Sequence, residues 1–115
     1  MKSDNRIQQL DQGLAVVGTM RMIGGRLVDH DLITYAEDRN LVVHVDRSTA
    51  WGNPFTMTRE AERNRVCDQY ESAIRANPEL MTRVPSLKGK LLLCWCHPRR
   101  CHGDTLAMMA NGVEA

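Results

Sequence analysis

The most prominent hydrophobic pattern in this chain is an uninterrupted apolar run at residues 91–96, with the sequence Leu-Leu-Leu-Cys-Trp-Cys. A glycine lies shortly before this run and a proline shortly after it, so turn residues bound it on both sides. A short continuous apolar run of this kind is typical of a strand that is buried on both faces. The pattern therefore predicts a central strand over residues 90–96.

A helical alternation of apolar and polar residues occupies residues 58–77. Val66, Tyr70 and Ile74 recur four residues apart and form one apolar stripe, while charges of both signs cover the opposite face. The pattern ends at Asn77, because the residue before a proline disfavours helical backbone. It predicts one long amphipathic helix that packs its apolar stripe on the sheet.

The other patterns predict shorter elements. They are a helix over residues 3–12, a strand over 14–20, a hairpin turning at Gly24-Gly25, an extended segment over 32–35, a strand over 41–45, a helix beginning at Pro78, and a helix over 101–110.

The order of these elements predicts the fold class. An apolar strand flanked by helices belongs in the middle of a parallel sheet with helices on both faces. We therefore expect a compact three-layer, Rossmann-like α/β domain with a small, mostly parallel sheet. Residues 1–115 form a single domain in this interpretation, with 32–110 as its core and 1–31 as an added helix and hairpin.

Composition narrows the class of protein further. With 43% hydrophobic residues the chain is too apolar to be disordered, and with 4% aromatic residues its core must be mostly aliphatic. A net charge of +1 supplies no bulk electrostatic reason to bind nucleic acid. No apolar segment has the length of a signal peptide or a membrane span, so we expect a cytoplasmic protein whose four cysteines are free thiols.

Two unusual loops follow the predicted strands at 41–45 and 90–96. Ligands of α/β sheets bind beyond the carboxyl ends of the strands, and both loops begin at such ends. We therefore expect Arg47 and Trp51 of the first loop to line one concavity with Cys101 of the second.

The second loop leads into the helix that starts at Cys101. The unpaired N–H groups of a first helical turn attract anions, Arg99 and Arg100 add positive charge, and Gly103 permits close approach of a ligand. The same surroundings are expected to lower the pKa of Cys101 and make it the most reactive thiol. An anion site that includes His102, a nucleophilic or redox cysteine and a metal site all remain open here, with Cys101 and Asp104 as the candidate catalytic groups.

A zinc site would take Cys94, Cys96 and Cys101 as ligands, with His97 or His102 as the fourth. The residue types suit zinc, but the spacing is not one of its usual pairs. We therefore predict no cofactor and no metal, with zinc as the alternative. Cys94 and Cys96 can also pack as small core residues of a buried strand, and for Cys94 we expect this role.

The first loop combines a basic residue with a stiff turn. Arg47 directly follows the strand and can reach an anion over the sheet edge. Gly52 and Asn53, followed by a proline, predict a tight turn beside the binding site. Trp51 offers a flat apolar surface that either stacks on a base or holds the loop to the core.

Together these motifs resemble a known family. Trp51-Gly52-Asn53-Pro54-Phe55, an amphipathic helix, and then Cys94-Trp95-Cys96-x-Pro98-x-x-Cys101-His102-Gly103-Asp104 are similar to domain-of-unknown-function family 4326 of bacterial and phage proteins. The resemblance covers about residues 32–110. It departs from the family at Asp46, where the family usually has glycine before the arginine. The resemblance implies no established activity.

Two functions follow from the residues. In the first, the chain binds a phosphorylated small molecule, a nucleotide or nucleoside derivative, and has transferase or hydrolase chemistry on it. Arg47, Arg99 and Arg100 would hold the phosphate, Trp51 the base, and Cys101 or Asp104 would react. In the second, the chain is a phage-encoded interaction module that binds a host protein or nucleic acid, with the Cys/His cluster structural or zinc-binding.

Overall fold

Three parallel strands form the central sheet of the computed structural model, which describes residues 5–96 and 99–112. Along the chain the elements are α1 (Arg6–Asp11), β1 (Val16–Thr19), β2 (Met22–Ile23), β3 (Arg26–Leu27), α2 (His30–Asp38), β4 (Val42–His44), α3 (Arg63–Arg75), α4 (Pro78–Arg83), β5 (Leu91–Cys94) and α5 (His102–Ala110). The sheet order is β1-β5-β4. The apolar run therefore supplies the central strand, as its pattern predicts.

Alternate residues of β5 face two separate cores. Leu92 and Cys94 pack with side chains of α3 and α5, whereas Leu91 and Leu93 pack with side chains of α1 and α2. All four are at most 1% exposed. A strand that is covered on both faces needs apolar residues at every position, which explains why this run does not alternate with polar residues. The protein is thus a three-layer α/β domain with helices on both sides of its sheet.

The two crossover connections between the parallel strands lie on opposite faces of the sheet. α2 carries the connection from β1 to β4 on one face, and α3 and α4 carry the return from β4 to β5 on the other. Right-handed crossovers that run in opposite directions along a sheet must use opposite faces. Because all three strands are parallel, the loops after β4 and β5 emerge at the same edge.

One predicted element is wrong. Residues 32–35 were expected to be extended, but they lie within helix α2. Leu32, Ile33 and Ala36 form its buried stripe at helical spacing, and the charged residues that follow them are exposed. A four-residue segment with apolar and β-branched side chains fits a strand or a helix equally well, and only the wider spacing that includes Ala36 distinguishes them.

The N-terminal segment contributes directly to the sheet. Its helix α1 and its β2–β3 hairpin match the predicted helix and hairpin, and the hairpin turns at Gly24 and Gly25, both in the left-handed region with φ of 59° and 78°. Between them, β1 pairs in parallel with β5 along its whole length. Residues 16–19 therefore form one edge of the central sheet.

An ion pair fastens this segment to the rest of the molecule. The Arg6 guanidinium donates to both carboxylate oxygens of Asp29, over 2.6 and 3.1 Å, and also to the carbonyl oxygen of Val17. Asp29 in turn accepts from the backbone N–H of Thr19 and is 7% exposed. One carboxylate thus links α1, the end of β1 and the start of α2.

The helices are short. The longest, α3, has 13 residues, and α2 and α5 have nine each. A membrane-spanning helix needs about 20 residues. Within residues 5–96 and 99–112, none of the helices has the length and apolar character that crossing a bilayer requires.

Candidate functional site

A cleft of about 470 Å³ lies beyond the carboxyl ends of β4 and β5. Its wall includes residues of both loops and of α3, among them Arg47, Asn53, Arg63, Trp95, Cys96 and His102. Arg47 and Cys101 both line it, so the expected convergence of the two loops is confirmed for these residues. A larger depression of about 850 Å³ lies between α2 and the hairpin that follows β1.

The side chain of Arg47 stabilises the first loop by two hydrogen bonds to its backbone. Its Nε donates to the carbonyl oxygen of Asn53 over 3.0 Å and its Nη2 to that of Phe55 over 3.3 Å. Gly52 packs directly on the backbone at the start of the same loop. A Cβ atom there would lie 2.6 Å from Arg47 Cα and 2.7 Å from the carbonyl oxygen of Asp46, so the loop requires glycine at this position.

Asn53 joins the first loop to α3. Its side-chain amide donates to the carbonyl oxygen of Val66 over 3.2 Å, and its Oδ1 accepts from the backbone N–H of Phe55 over 2.9 Å. The residue is 9% exposed. Asn53 lines the cleft, as expected, but both ends of its side chain are used within the protein.

Trp51 does not line the cleft. Its side chain lies in the core that contains α3 and α5, at 4% exposure, with the guanidinium of Arg83 at 5.3 Å from the ring centroid. The hydroxyl of Tyr70 donates to the Trp51 carbonyl over 2.9 Å and holds the backbone in place. The predicted stacking of Trp51 on a base is therefore wrong for this structure, because both its ring and its backbone are engaged in packing.

The exposed aromatic surface of the cleft belongs to Trp95. Its side chain is 55% exposed, and its indole N–H donates to Asp46 Oδ2 over 3.3 Å. Hydrogen bonds from the side chain and backbone of Ser48 hold the pKa of Asp46 below its usual value, so the carboxylate that accepts from the indole stays ionised. The apolar run predicts that Trp95 lies within the strand. The signal for its exposure was its position at the end of an apolar run, directly before a turn.

Cys101 is a buried thiol. It precedes α5, its Sγ lies 3.1 Å from Cys94 Sγ, and it is 2% exposed. Its hydrogen bond to Cys94 and its burial raise the pKa of Cys101, so the predicted lowering is wrong. Desolvation and the neighbouring sulfur outweigh the helix N-terminus here.

Asp104 serves the helix start. Its Oδ2 accepts from the backbone N–H of Cys101 over 3.1 Å, which satisfies one donor of the first turn. Gly103 is buried against the strands, and a Cβ there would lie 3.3 Å from Cys101 Sγ and 3.4 Å from Val17 Cγ1. The structure therefore gives Asp104 a capping role and Gly103 a packing role, and places neither on the cleft wall.

His102 is held neutral at the inner end of the cleft. It is 8% exposed, its Nε2–H donates to the carbonyl oxygen of Val45, and its ring meets that of Tyr70 edge-on at 4.9 Å between centroids. Burial lowers the pKa of His102 below its usual value. A carbonyl can only accept a hydrogen bond, so this contact assigns the ring proton to Nε2.

The two arginines of the second loop do not line the cleft. Arg100 donates to Asp68 over 2.8 Å and to the side chain of Asn64 over 3.0 Å, while Arg99 lies 3.4 Å from Glu60. A different arginine, Arg63 of α3, supplies positive charge to the cleft wall.

Arg63 of α3 lines the cleft, pairs with Glu60 and donates to the carbonyl oxygen of Arg100 over 2.9 Å. The amphipathic pattern predicts that the charged residues of this helix lie on a solvated face. Only the packing of α3 beside the second loop shows that the side chain of Arg63 is 11% exposed and turned inward.

All four cysteines line the cleft, and all four are free thiols. Cys67 and Cys94 are buried, which agrees with the core role expected of Cys94, whereas Cys96 is only half-buried. Within the described residues, no three Cys, His, Asp or Glu side chains are grouped closely enough to hold a metal ion. His97, one of the candidate zinc ligands, lies outside the described residues.

Comparison with known proteins identifies relatives among viruses. The chain is 32% identical over 72 residues to an uncharacterized protein of Acanthamoeba polyphaga mimivirus, an alignment that covers 56% of this chain and 55% of that protein. It is 31% identical over 72 residues to an uncharacterized 12.4 kDa protein of Enterobacteria phage T4 encoded in the nrdA-td intergenic region, covering 60% of this chain and 67% of that protein. The chain thus spans about half the length of the mimivirus protein.

No solved structure matches the chain. The family model described as Domain of unknown function (DUF4326) matches residues 33–112, which include most of α2, both loops of the cleft and α5. This range agrees with the resemblance seen in the two motifs. The chain therefore belongs to the DUF4326 family.

Proposed function

We propose that this protein binds a phosphorylated small molecule, a nucleotide or nucleoside derivative, in the cleft beyond β4 and β5. The observation that carries the proposal is that Arg47, Arg63 and the exposed ring of Trp95 line the same concavity. Guanidinium groups bind phosphate oxygens, and an exposed indole offers a face on which a base can stack.

The hydrogen bonds of Arg47 leave it able to bind a ligand. Nε and Nη2 are used on the loop carbonyls, and within the described residues no acceptor is bonded to its Nη1. Arg63 adds a second positive group, although Glu60 offsets part of its charge. Phosphate therefore lies at the arginine side of the cleft in this proposal, and the base lies on Trp95 beside Asp46.

Transfer or hydrolysis on such a ligand needs a reacting group, and the geometry favours Cys96 over the two groups expected from sequence. Cys96 is half-buried and lines the cleft. Cys101 is buried against another sulfur, and Asp104 caps α5. The free thiols agree with the cytoplasmic location that we propose.

The test is a calorimetric titration of the full chain with a panel of nucleotides, the matching nucleosides and inorganic pyrophosphate. We expect nucleotides to bind. Arg47→Gln should weaken the binding of nucleotides and of pyrophosphate alike, by about tenfold for one lost charge-assisted hydrogen bond. Trp95→Leu should weaken the binding of nucleotides and leave the affinity for pyrophosphate unchanged.

Arg26→Gln is the matched control, because Arg26 is exposed on the hairpin and does not line the cleft. Equal loss in Arg26→Gln would show that the arginine effect is nonspecific. Failure of the wild-type chain to bind any member of the panel would reject the proposal and favour an interaction module instead.

A further inference from the structure

We propose that Cys94 and Cys101 form a reversible dithiol–disulfide couple at the floor of the cleft, oxidised by hydrogen peroxide and reduced again by a small thiol. Their Sγ atoms are 3.1 Å apart, and each residue lines the cleft while being at most 2% exposed. Cys94 ends β5 and Cys101 precedes α5, so the couple joins the central strand to the next helix. This couple operates whether or not the cleft binds a phosphorylated ligand.

The separation of the two sulfurs favours a disulfide over a shared metal. A disulfide bond is about 2.05 Å long. Two thiolates bound to one tetrahedral zinc lie about 3.8 Å apart, given a Zn–S distance of about 2.3 Å. At 3.1 Å the sulfurs are already closer than zinc ligands, and about 1 Å of movement brings them to bonding distance.

The surroundings also explain how the couple reacts. The hydrogen bond between the thiols and their burial keep the proton on Cys101, so bulky alkylating reagents react slowly with it. Hydrogen peroxide is small and neutral, and the cleft leads to both sulfurs.

One sulfur, as thiolate, attacks the O–O bond, forms an S–O bond and releases hydroxide, which leaves as water with the thiol's proton. The second thiol then attacks the sulfenic sulfur, the S–S bond forms, and the S–O bond breaks to release a second water. Two thiols and one peroxide thus yield one disulfide and two waters, and two external thiols reverse the oxidation.

The sequence provides a direct readout. Trypsin cleaves after Lys90, Arg99 and Arg100, so Cys94 and Cys101 fall into separate peptides, residues 91–99 and 101–115. Only a disulfide can hold these peptides together. Cys96 shares the first peptide with Cys94, and Cys96→Ser therefore distinguishes the two.

The experiment treats the folded full chain with peroxide, blocks remaining thiols and analyses the tryptic peptides by mass spectrometry. We expect loss of two free thiols, linkage of 91–99 to 101–115 in wild type and in Cys96→Ser, and release of both peptides by dithiothreitol. Cys94→Ala should lose the link, while Cys67→Ala, another buried cysteine, should keep it.

Three results would overturn the couple. One is a link that persists in Cys94→Ala and disappears in Cys96→Ser. Another is oxidation of Cys96 with no link between the peptides. The third is zinc bound at one per chain in the untreated protein and absent from Cys101→Ser. The comparison of wild type with Cys96→Ser decides the question even if Cys94→Ala fails to fold.

Discussion

At the scale of single residues, the two tryptophans show how burial decides a side chain's role. Both lie in the region that the family model matches, and both are flat and apolar. Trp51 lies in the core at 4% exposure, whereas Trp95 is 55% exposed at the cleft. Their chemistry is identical, so only position separates a packing role from a binding role.

The two tryptophans should therefore differ sharply in their contribution to stability. Trp51→Ala should lower the free energy of unfolding by about 3–5 kcal/mol, because it removes a large buried side chain and leaves a cavity. Trp95→Ala should change it by about 0.5 kcal/mol or less. Urea denaturation followed by circular dichroism measures both, and a loss at Trp95 as large as that at Trp51 would contradict the assigned burial.

His102 should make stability depend on pH. Burial lowers its pKa in the folded state, while the unfolded chain binds a proton with a pKa of about 6.5. Below that pH the unfolded state binds more protons, so stability falls as pH falls from about 6.5 toward the folded-state pKa. The stabilising contribution of a neutral His102 is fully present above this window.

Between pH 7.5 and pH 5.5, the free energy of unfolding should fall less in His102→Gln than in wild type. His30→Gln is the matched control, because His30 is exposed and its variant should keep the wild-type slope. A slope that is the same in His102→Gln and wild type would remove His102 as its source.

At the scale of elements, side-chain clamps join segments that the backbone alone does not. The amide of Asn111, after α5, donates to the carbonyl oxygen of Ala15 over 3.0 Å and accepts from its N–H over 2.7 Å. Asp29 likewise connects α1, β1 and α2. Both clamps attach the first edge strand to helices on its two sides.

Removal of the Asp29 clamp should be costly. Asp29→Ala leaves the guanidinium of Arg6 and the N–H of Thr19 without this acceptor, so we expect a loss of about 3 kcal/mol in the free energy of unfolding. Asp31→Ala, two residues away, should be nearly neutral because its side chain is 95% exposed. Equal effects in the two variants, measured by urea denaturation, would contradict a specific role for Asp29.

At the scale of the whole molecule, the folded unit is longer than the region that the family model matches. The family model begins at residue 33, after β1 and within α2. Yet β1 pairs with the central strand, and Leu10 and Val16 complete the core on the α2 side. The N-terminal segment is therefore part of the folded unit in this chain.

A chain of residues 32–115 should fail to fold cooperatively. Its central strand would have an unpaired edge, and Leu91 and Leu93 would lose part of their cover. We expect aggregation on size-exclusion chromatography and no cooperative thermal transition by circular dichroism, where the full chain shows both a single peak and a transition. A monomeric truncated chain with the same transition would show that the family-matched region folds alone.

The sequence by itself determined the sheet. The apolar run of β5, the branched run of β4 and the amphipathic pattern of α3 can each be recognised from local spacing. The run of β5 is continuous because burial on both faces demands apolar residues at every position. It also predicted that the loops after β4 and β5 would meet, since parallel strands end at one edge. The short apolar segment of α2 was wrongly predicted as extended, since helix and strand fit it equally well.

Tertiary structure alone decided which side chains face the cleft and in what state. Arg63 turned inward from a charged helix face, and Arg99 and Arg100 paired with acidic residues of the 3-10 turn before α3 and of α3 itself. Cys101 met Cys94 across a loop, which reversed its expected pKa shift. Sequence periodicity specifies which face of an element is apolar, but the partner of each polar group depends on contacts between residues far apart in the chain, and those contacts exist only once the layers have packed.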